Sequence, residues 1–137
     1  MISLTAAQEL SRAGVRWVPR TGDQFTVRSD EMGGEVFTVA DMVVEAREYP
    51  TGMLLAFNGT TEWALDSAQV TDALWLPRED QLRELLGTPF RALDRRDDGY
   101  RVTAVLPGDD VGTVFDAPAP ADAYGRALLA LIRRATD

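Results

Sequence analysis

Asn58–Gly87 reads NGTTEWALDSAQVTDALWLPREDQLRELLG, and it holds two of the three tryptophans, Trp63 and Trp75, with the plainest helix start and stop in the chain. Asn58-Gly59 predicts a tight turn, and Thr60 to Leu65 a strand in which Thr61, Trp63 and Leu65 alternate with Glu62 and Ala64. Asp66 to Ala73 fits either a short helix or a loop. Leu74-Trp75-Leu76 then leads into Pro77, which suits the first position of a helix because its missing N–H has no intrahelical partner there. Glu79 and Asp80 follow in the first turn, where the helix dipole favours negative charge. Leu82, Leu85 and Leu86 make an apolar stripe, and Gly87 ends it. The stretch joins two strand-rich halves, so any subdivision of the chain falls near residues 73–77.

Upstream, Thr5-x-x-Gln8 spells a capping box, with Ser3 as a rival cap, and Gly14 supplies a left-handed stop for a short first helix. Leu4, Ala7 and Leu10 share one face of it. Val15–Val18 and Phe25–Val27 are short β-type runs separated by Pro19 and a Thr21-Gly22-Asp23 turn. Val36 to Glu48 carries two strands, or one strand bent around Ala40-Asp41. Tyr49-Pro50-Thr51-Gly52 is a β-turn, after which Met53–Phe57 returns as an antiparallel partner.

Downstream, a three-stranded meander is predicted. Phe90–Arg95 turns through Asp97-Asp98-Gly99 into Tyr100–Leu106, which turns through Pro107-Gly108-Asp109-Asp110 into Val111–Asp116. Tyr100, Val102, Ala104 and Leu106 share a face at period two. Pro120 opens a last helix in which Ala121, Tyr124, Leu128, Leu131 and Ile132 recur at helical spacing, with Asp122 near its start and Arg133 and Arg134 near its end. Gly125 inside that helix costs about 1 kcal/mol relative to Ala, and a close helix-to-sheet approach is the simplest reason for it. Because tight turns join the strands, the sheets are antiparallel and the class is α+β, in the order helix, strands, helix, three-stranded meander, helix.

A chain of 137 residues, 45% hydrophobic and 26% charged, is the size and composition of one soluble domain spanning residues 1–137. No apolar run is long enough to span a bilayer, and MISLTAAQEL lacks the pattern of a signal peptide, so a cytoplasmic protein is expected. The chain has no Cys and no His, and all 14 basic residues are Arg. Thiolate nucleophiles, disulfides, His bases, Schiff-base lysines and Lys-bearing phosphate loops are therefore excluded, and no cofactor is expected. The Arg-only, Ala- and Asp-rich usage fits the codon bias of a GC-rich bacterial genome. A net charge of −8 repels a phosphate backbone, which argues against a nucleic-acid partner.

The segments FNGTTEWALDS, LWLPREDQLRELLG and AYGRALLALI, in that order over nearly the full length, resemble a family of small actinobacterial proteins that often carry the label "pilus assembly protein CpaE". Trp63, Trp75-Leu76-Pro77, Leu82 and Tyr124-Gly125 fall in that family's usual places. A true CpaE has a ParA/MinD-type ATPase domain whose Gly-rich loop carries Lys; this chain has neither, so the ATPase is not carried over. Leu74 to Ile132 is also similar to a set of small phage-encoded proteins of unknown role, and neither family brings site residues. The second half has the helix, three strands, helix order of a double-stranded RNA-binding domain, but element order carries no function and the acidity opposes RNA.

Glu62 and Asp66 flank Trp63 and are the only pair singled out for acid and base work; solvated strand-end charges are the simpler reading. Asp94, Asp97, Asp98, Asp109 and Asp110 miss the EF-hand pattern and fit hairpin turns. Arg91, Arg95, Arg96 and Arg101 cluster around one hairpin with Asp94, Asp97 and Asp98 interleaved, which predicts a surface salt-bridge array. No catalytic, cofactor or metal residues are assigned, and Trp63, Trp75, Glu62 and Asp66 are the candidate interaction residues, with Trp75 the best candidate for partial exposure. The expected function is a non-enzymatic protein-interaction or accessory module, linked through the resemblance to a pilus or phage-type system. The partner is another protein or a second copy, paired through Val111–Asp116 if that strand lies at a sheet edge. Two alternatives stand beside it: an acidic immunity or antitoxin-type inhibitor of a basic protein, and a small-molecule binder or carboxylate enzyme using Glu62 or Asp66 beside Trp63.

Overall fold

The structure, a computed structural model, describes residues 1–27, 35–40, 44–49, 52–57, 67–69 and 73–136. The chain has the α+β class, with every strand pairing antiparallel among the described residues. It forms two compact units, one of residues 17–76 and the other of residues 1–16 together with 77–137. The chain passes between them twice, at Arg16–Trp17 and at Leu76–Pro77.

In the 17–76 unit, β1 (Gln24–Val27) lies between β2 (Phe37–Thr38) and β6 (Ala73–Leu76). The register sets Phe25 opposite Phe37 on one side and Trp75 on the other. Phe25 is fully buried, and its ring lies 5.2 Å from that of Trp17 and 5.5 Å from that of Phe37. Val27 and Val39 complete this core. Val15–Val18 is not a strand. Trp17 turns inward onto Phe25, its indole N–H donates to Asp23 Oδ2 at 2.9 Å, and the Arg20 N–H donates to the same oxygen at 3.0 Å. The buried Asp23 carboxylate thus draws the Trp17 ring and the following turn towards itself, while Val18 points to solvent.

Val36–Glu48 resolves into two strands in different sheets: β2, and β3 (Val44–Tyr49), which pairs with β4 (Gly52–Phe57). Tyr49 stands opposite Gly52, and β5 (Ser67–Gln69), part of the stretch that fitted helix or loop, closes this second sheet on the far side of β4. The Asn58-Gly59 turn and the Thr60–Leu65 strand lie outside the described residues.

The other unit holds α1 (Leu4–Arg12), α2 (Glu79–Leu86), the meander β7 (Phe90–Arg96), β8 (Gly99–Ala104) and β9 (Thr113–Ala117), and α3 (Pro120–Thr136). Ser3 is the cap of α1, accepting from the Ala6 N–H at 3.2 Å, while its own N–H donates to Asp122 Oδ1 in the first turn of α3 at 2.7 Å. Ala7 and Leu10 are buried, and Leu4 is left exposed. In α2 the cap is Arg78, whose N–H donates to Gln81 Oε1 at 2.9 Å, so Pro77 precedes the cap and does not open the helix. Leu82 and Leu86 are buried; Leu85, expected on the same stripe, is 45% exposed.

α3 is the element about which this unit is built. It packs on β8 and β9, on α1 and on α2, and its buried residues include Ala121, Ala123, Gly125, Ala127 and Leu128. A helix covered on most sides reads as apolar nearly all round, and small residues let its neighbours approach. A Cβ at Gly125 would lie 3.7 Å from Ile2 Cδ1 and 3.9 Å from Ala6 Cβ. The close approach that Gly125 permits is thus helix to helix, towards α1, and not helix to sheet.

Candidate functional site

Trp63, Glu62 and Asp66, three of the four candidate interaction residues, lie outside the described residues. Trp75 is on β6, opposite Phe25, and is half-buried between the buried Leu74 and Leu76. Its indole Nε1 is buried and, with Thr26 Oγ1 of β1, has no hydrogen-bond partner among the described residues. Direct register partners share a face, so Trp75 lies with Phe25 on one face of the sheet and Thr26 with Leu74 on the other; the two polar atoms do not form one site.

A more informative surface is the β7–β8–β9 sheet. The Asp97-Asp98 loop sets Arg96 opposite Gly99, and the register continues without interruption to Ala92 opposite Thr103. On one face Val102 and Ala104 are completely buried under α3. The other face carries the row Ala92, Thr103, Val114 and the row Asp94, Arg101, Asp116, since β8 residues pair with both neighbours. Arg101 grips Asp116 side-on, Nε to Oδ1 at 2.7 Å and Nη2 to Oδ2 at 3.0 Å. The Arg101 hydrogen bond, with the further fields of Arg96 and Arg126, holds the Asp116 carboxyl below its usual range, and Asp116 raises Arg101 in turn.

The local array predicted at this hairpin is not what forms. Arg91 donates to the backbone oxygens of Thr88 and Phe90, and Arg95, Arg96, Asp97 and Asp98 enter no ion pair among the described residues. The pair that does form reaches 15 residues along the chain to Asp116. Only the register of the second hairpin reveals it. That hairpin is fixed at its loop by Arg134 of α3, which donates to the Pro107 oxygen at 3.1 Å and to Asp109 Oδ1 at 2.9 Å.

The sheet has two edges of unlike character. β7 begins with a register shift between Phe90 and Ala92, and four of its seven residues are charged. Bulges and charges are the ordinary means by which an edge resists pairing with another chain. β9 reads TVFDA, its one charge already engaged by Arg101, with no register shift against β8. Val114 is 48% exposed and Val111, just ahead of the strand, 75%. Arg126 of α3 donates to the Asp116 backbone oxygen, guarding only the far end of this edge.

Behind the sheet, Phe90 meets Tyr124 at 5.6 Å between ring centroids, and the Arg83 guanidinium sits 4.4 Å over Phe90. Burial raises the Tyr124 hydroxyl above its usual value against the opposing charge of Arg83. These contacts join α2, β7 and α3 in the core. Asp97 and Asp98 lie in the loop at one end of β8, Asp109 and Asp110 in the loop at the other, and no group of three or more metal-ligating side chains forms among the described residues. No described helix is long and apolar enough to cross a membrane. No protein-family model, no curated protein and no solved structure matches the chain.

Proposed function

We propose that the chain is a non-enzymatic protein-interaction module of a bacterial cytoplasm, and that it docks its partner by adding a strand to the β9 edge. The observation that supports this reading is the contrast between the two edges of one sheet. β7 is bulged and charged, whereas β9 is regular and weakly charged, with Val114 exposed within it and Val111 exposed just ahead of it. An extended partner strand gains main-chain hydrogen bonds along such an edge and apolar contact with the outward side chains. The chain's lack of Cys, His and Lys agrees with a binding role, since it removes most nucleophiles and general bases. The resemblance of its Trp-containing segments to small actinobacterial and phage proteins is the basis for placing the partner in a pilus or phage-type assembly.

The test is capture of partners from lysate of the native cell with the tagged wild type and with Val114→Lys, followed by mass spectrometry. Val114 is exposed, so a charge there leaves folding within about 0.5 kcal/mol of wild type while opposing strand addition. A stoichiometric partner, or a second copy, retained by the wild type and lost from the variant is the expected result. Equal retention by both proteins excludes β9 as the docking strand.

A further inference from the structure

At the Asp97-Asp98 end of the sheet lies a cleft of about 450 Å³, a volume within the range of small-molecule sites. Arg96 reaches it from the end of β7, Asp97 and Asp98 from the loop, Arg101 and Asp116 from β8 and β9, and Arg126 from α3. Its base is fixed, because Gly99 packs so closely on the β9 exit that an added Cβ would stand 2.3 Å from the Ala117 oxygen.

The lining carries three arginines and three aspartates, and their pairing decides what the cleft can take. Arg101 and Asp116 satisfy one another through two hydrogen bonds. Arg126 spends one donor on the Asp116 backbone oxygen and meets no carboxylate at ion-pair distance among the described residues. Arg96, Asp97 and Asp98 are likewise in no ion pair there. Two guanidinium groups and two carboxylates thus face one cleft outside any side-chain ion pair among the described residues. A purely anionic guest would be drawn by the arginines and repelled by Asp97 and Asp98, and a purely cationic guest meets the reverse. A guest with both charges satisfies all four groups.

We propose that this cleft binds a zwitterionic small molecule of the free amino acid or dipeptide class, its carboxylate held by Arg96 and Arg126 and its ammonium group by Asp97 and Asp98. The guanidinium fork matches a carboxylate through parallel N–H donors, and an ammonium group offers three donors to the loop acids. All four groups are exposed to water and salt, so binding is weak, in the millimolar range. The site goes beyond the β9 reading and is independent of it.

The test is titration of the full chain, followed by amide NMR, with alanyl-alanine, its N-acetyl derivative and its C-terminal amide. Alanyl-alanine is expected to shift the Gly99 and Arg101 amides and to bind about tenfold more tightly than either blocked form, a factor of ten being about 1.4 kcal/mol. Arg96→Gln with Arg126→Gln brings alanyl-alanine down to the affinity of the amide, and Asp97→Asn with Asp98→Asn down to that of the acetylated form. These are exposed residues, and an unchanged spectrum elsewhere verifies that each variant is folded. The proposal is overturned if alanyl-alanine shifts nothing at tens of millimolar, if the blocked forms bind as well as it does, or if the double variants leave its affinity unchanged. Val114→Lys leaves this titration as it is, so failure here and failure of the β9 reading are separate results.

Discussion

Replacing Gly99 with Ala puts a methyl carbon 2.3 Å from the Ala117 carbonyl oxygen and 3.0 Å from Pro118 Cα. An unstrained carbon to carbonyl-oxygen contact is about 3.3 Å, so roughly 1 Å of overlap must be relieved. Both struck atoms are backbone, so no rotamer change relieves it; β9 must shift or the β8–β9 pairing must shorten at Tyr100 and Ala117. Overpacking costs about 1–3 kcal/mol even where side chains give way, and a backbone collision belongs at the upper end, about 3 kcal/mol. With a urea m-value of about 2 kcal/mol per molar, the unfolding midpoint falls by about 1.5 M. The assay follows from how the sequence distributes its chromophores. All three helices among the described residues lie in the 1–16 and 77–137 unit, and Trp17, Trp63 and Trp75 all fall within residues 17–76. The far-ultraviolet helical signal therefore reports the unit that contains Gly99, and tryptophan fluorescence reports the other. A helical transition in Gly99→Ala within about 0.3 M of the wild type would refute the packing of Gly99 against the β9 exit.

Gly125→Ala should act in the opposite direction: its Cβ meets Ile2, Ala6 and Leu10 side chains at 3.7–3.9 Å, ordinary contact distance, so the helix gains about 0.5–1 kcal/mol, read as a higher midpoint of the helical signal. Asp23→Ala strips the acceptor from the Trp17 indole and the Arg20 N–H, and the loss of two charge-assisted bonds at a buried carboxylate should cost about 3 kcal/mol, seen first in tryptophan fluorescence. The Asp116 carboxyl is held below its unfolded value, so its contribution is complete above the ordinary aspartate range and is lost as pH falls through the lowered folded value. Urea midpoints of the helical signal for wild type and Asp116→Asn should therefore differ at neutral pH and converge in acid; a difference that persisted in acid would assign the effect to something other than the carboxylate charge.

The C-terminal meander was legible because its information is local. Asp97-Asp98-Gly99 and Pro107-Gly108-Asp109-Asp110 mark its turns, and Tyr100, Val102, Ala104 and Leu106 recur at period two. The start of α3 at Pro120 was legible for the same reason, whereas α1 is capped by Ser3, the rival, and the Thr5-x-x-Gln8 pattern lies inside the helix. Features decided by distant contacts were not. Val15–Val18 carries β-type residues, yet Trp17 is turned aside by Phe25 and Asp23. Pro77 suits the first helical position by propensity, but the Gln81 side chain reaches back to Arg78 and makes it the cap, so the helix opens at Glu79, two positions later. Gly125 signalled a close approach without saying to what, because helix α1 and the sheet both border α3. At the candidate site, composition pointed to the tryptophans, whereas the edge character of β9 and the Arg101–Asp116 pair emerge only from strand order and register. Of the four candidate interaction residues, Trp75 is placed on β6, and Trp63, Glu62 and Asp66 lie outside the described residues.

Amide hydrogen exchange reads the difference between the two edges of the C-terminal sheet directly and without mutation. Exchange is to be followed across Thr113–Ala117 of β9 and Phe90–Arg96 of β7, first with the isolated dilute chain and then with the captured partner or at concentrations where copies associate. On association the β9 amides are expected to slow markedly while those of β7 keep their rates. Protection of β7 instead, or association that leaves β9 exchanging as it does alone, would contradict docking through β9.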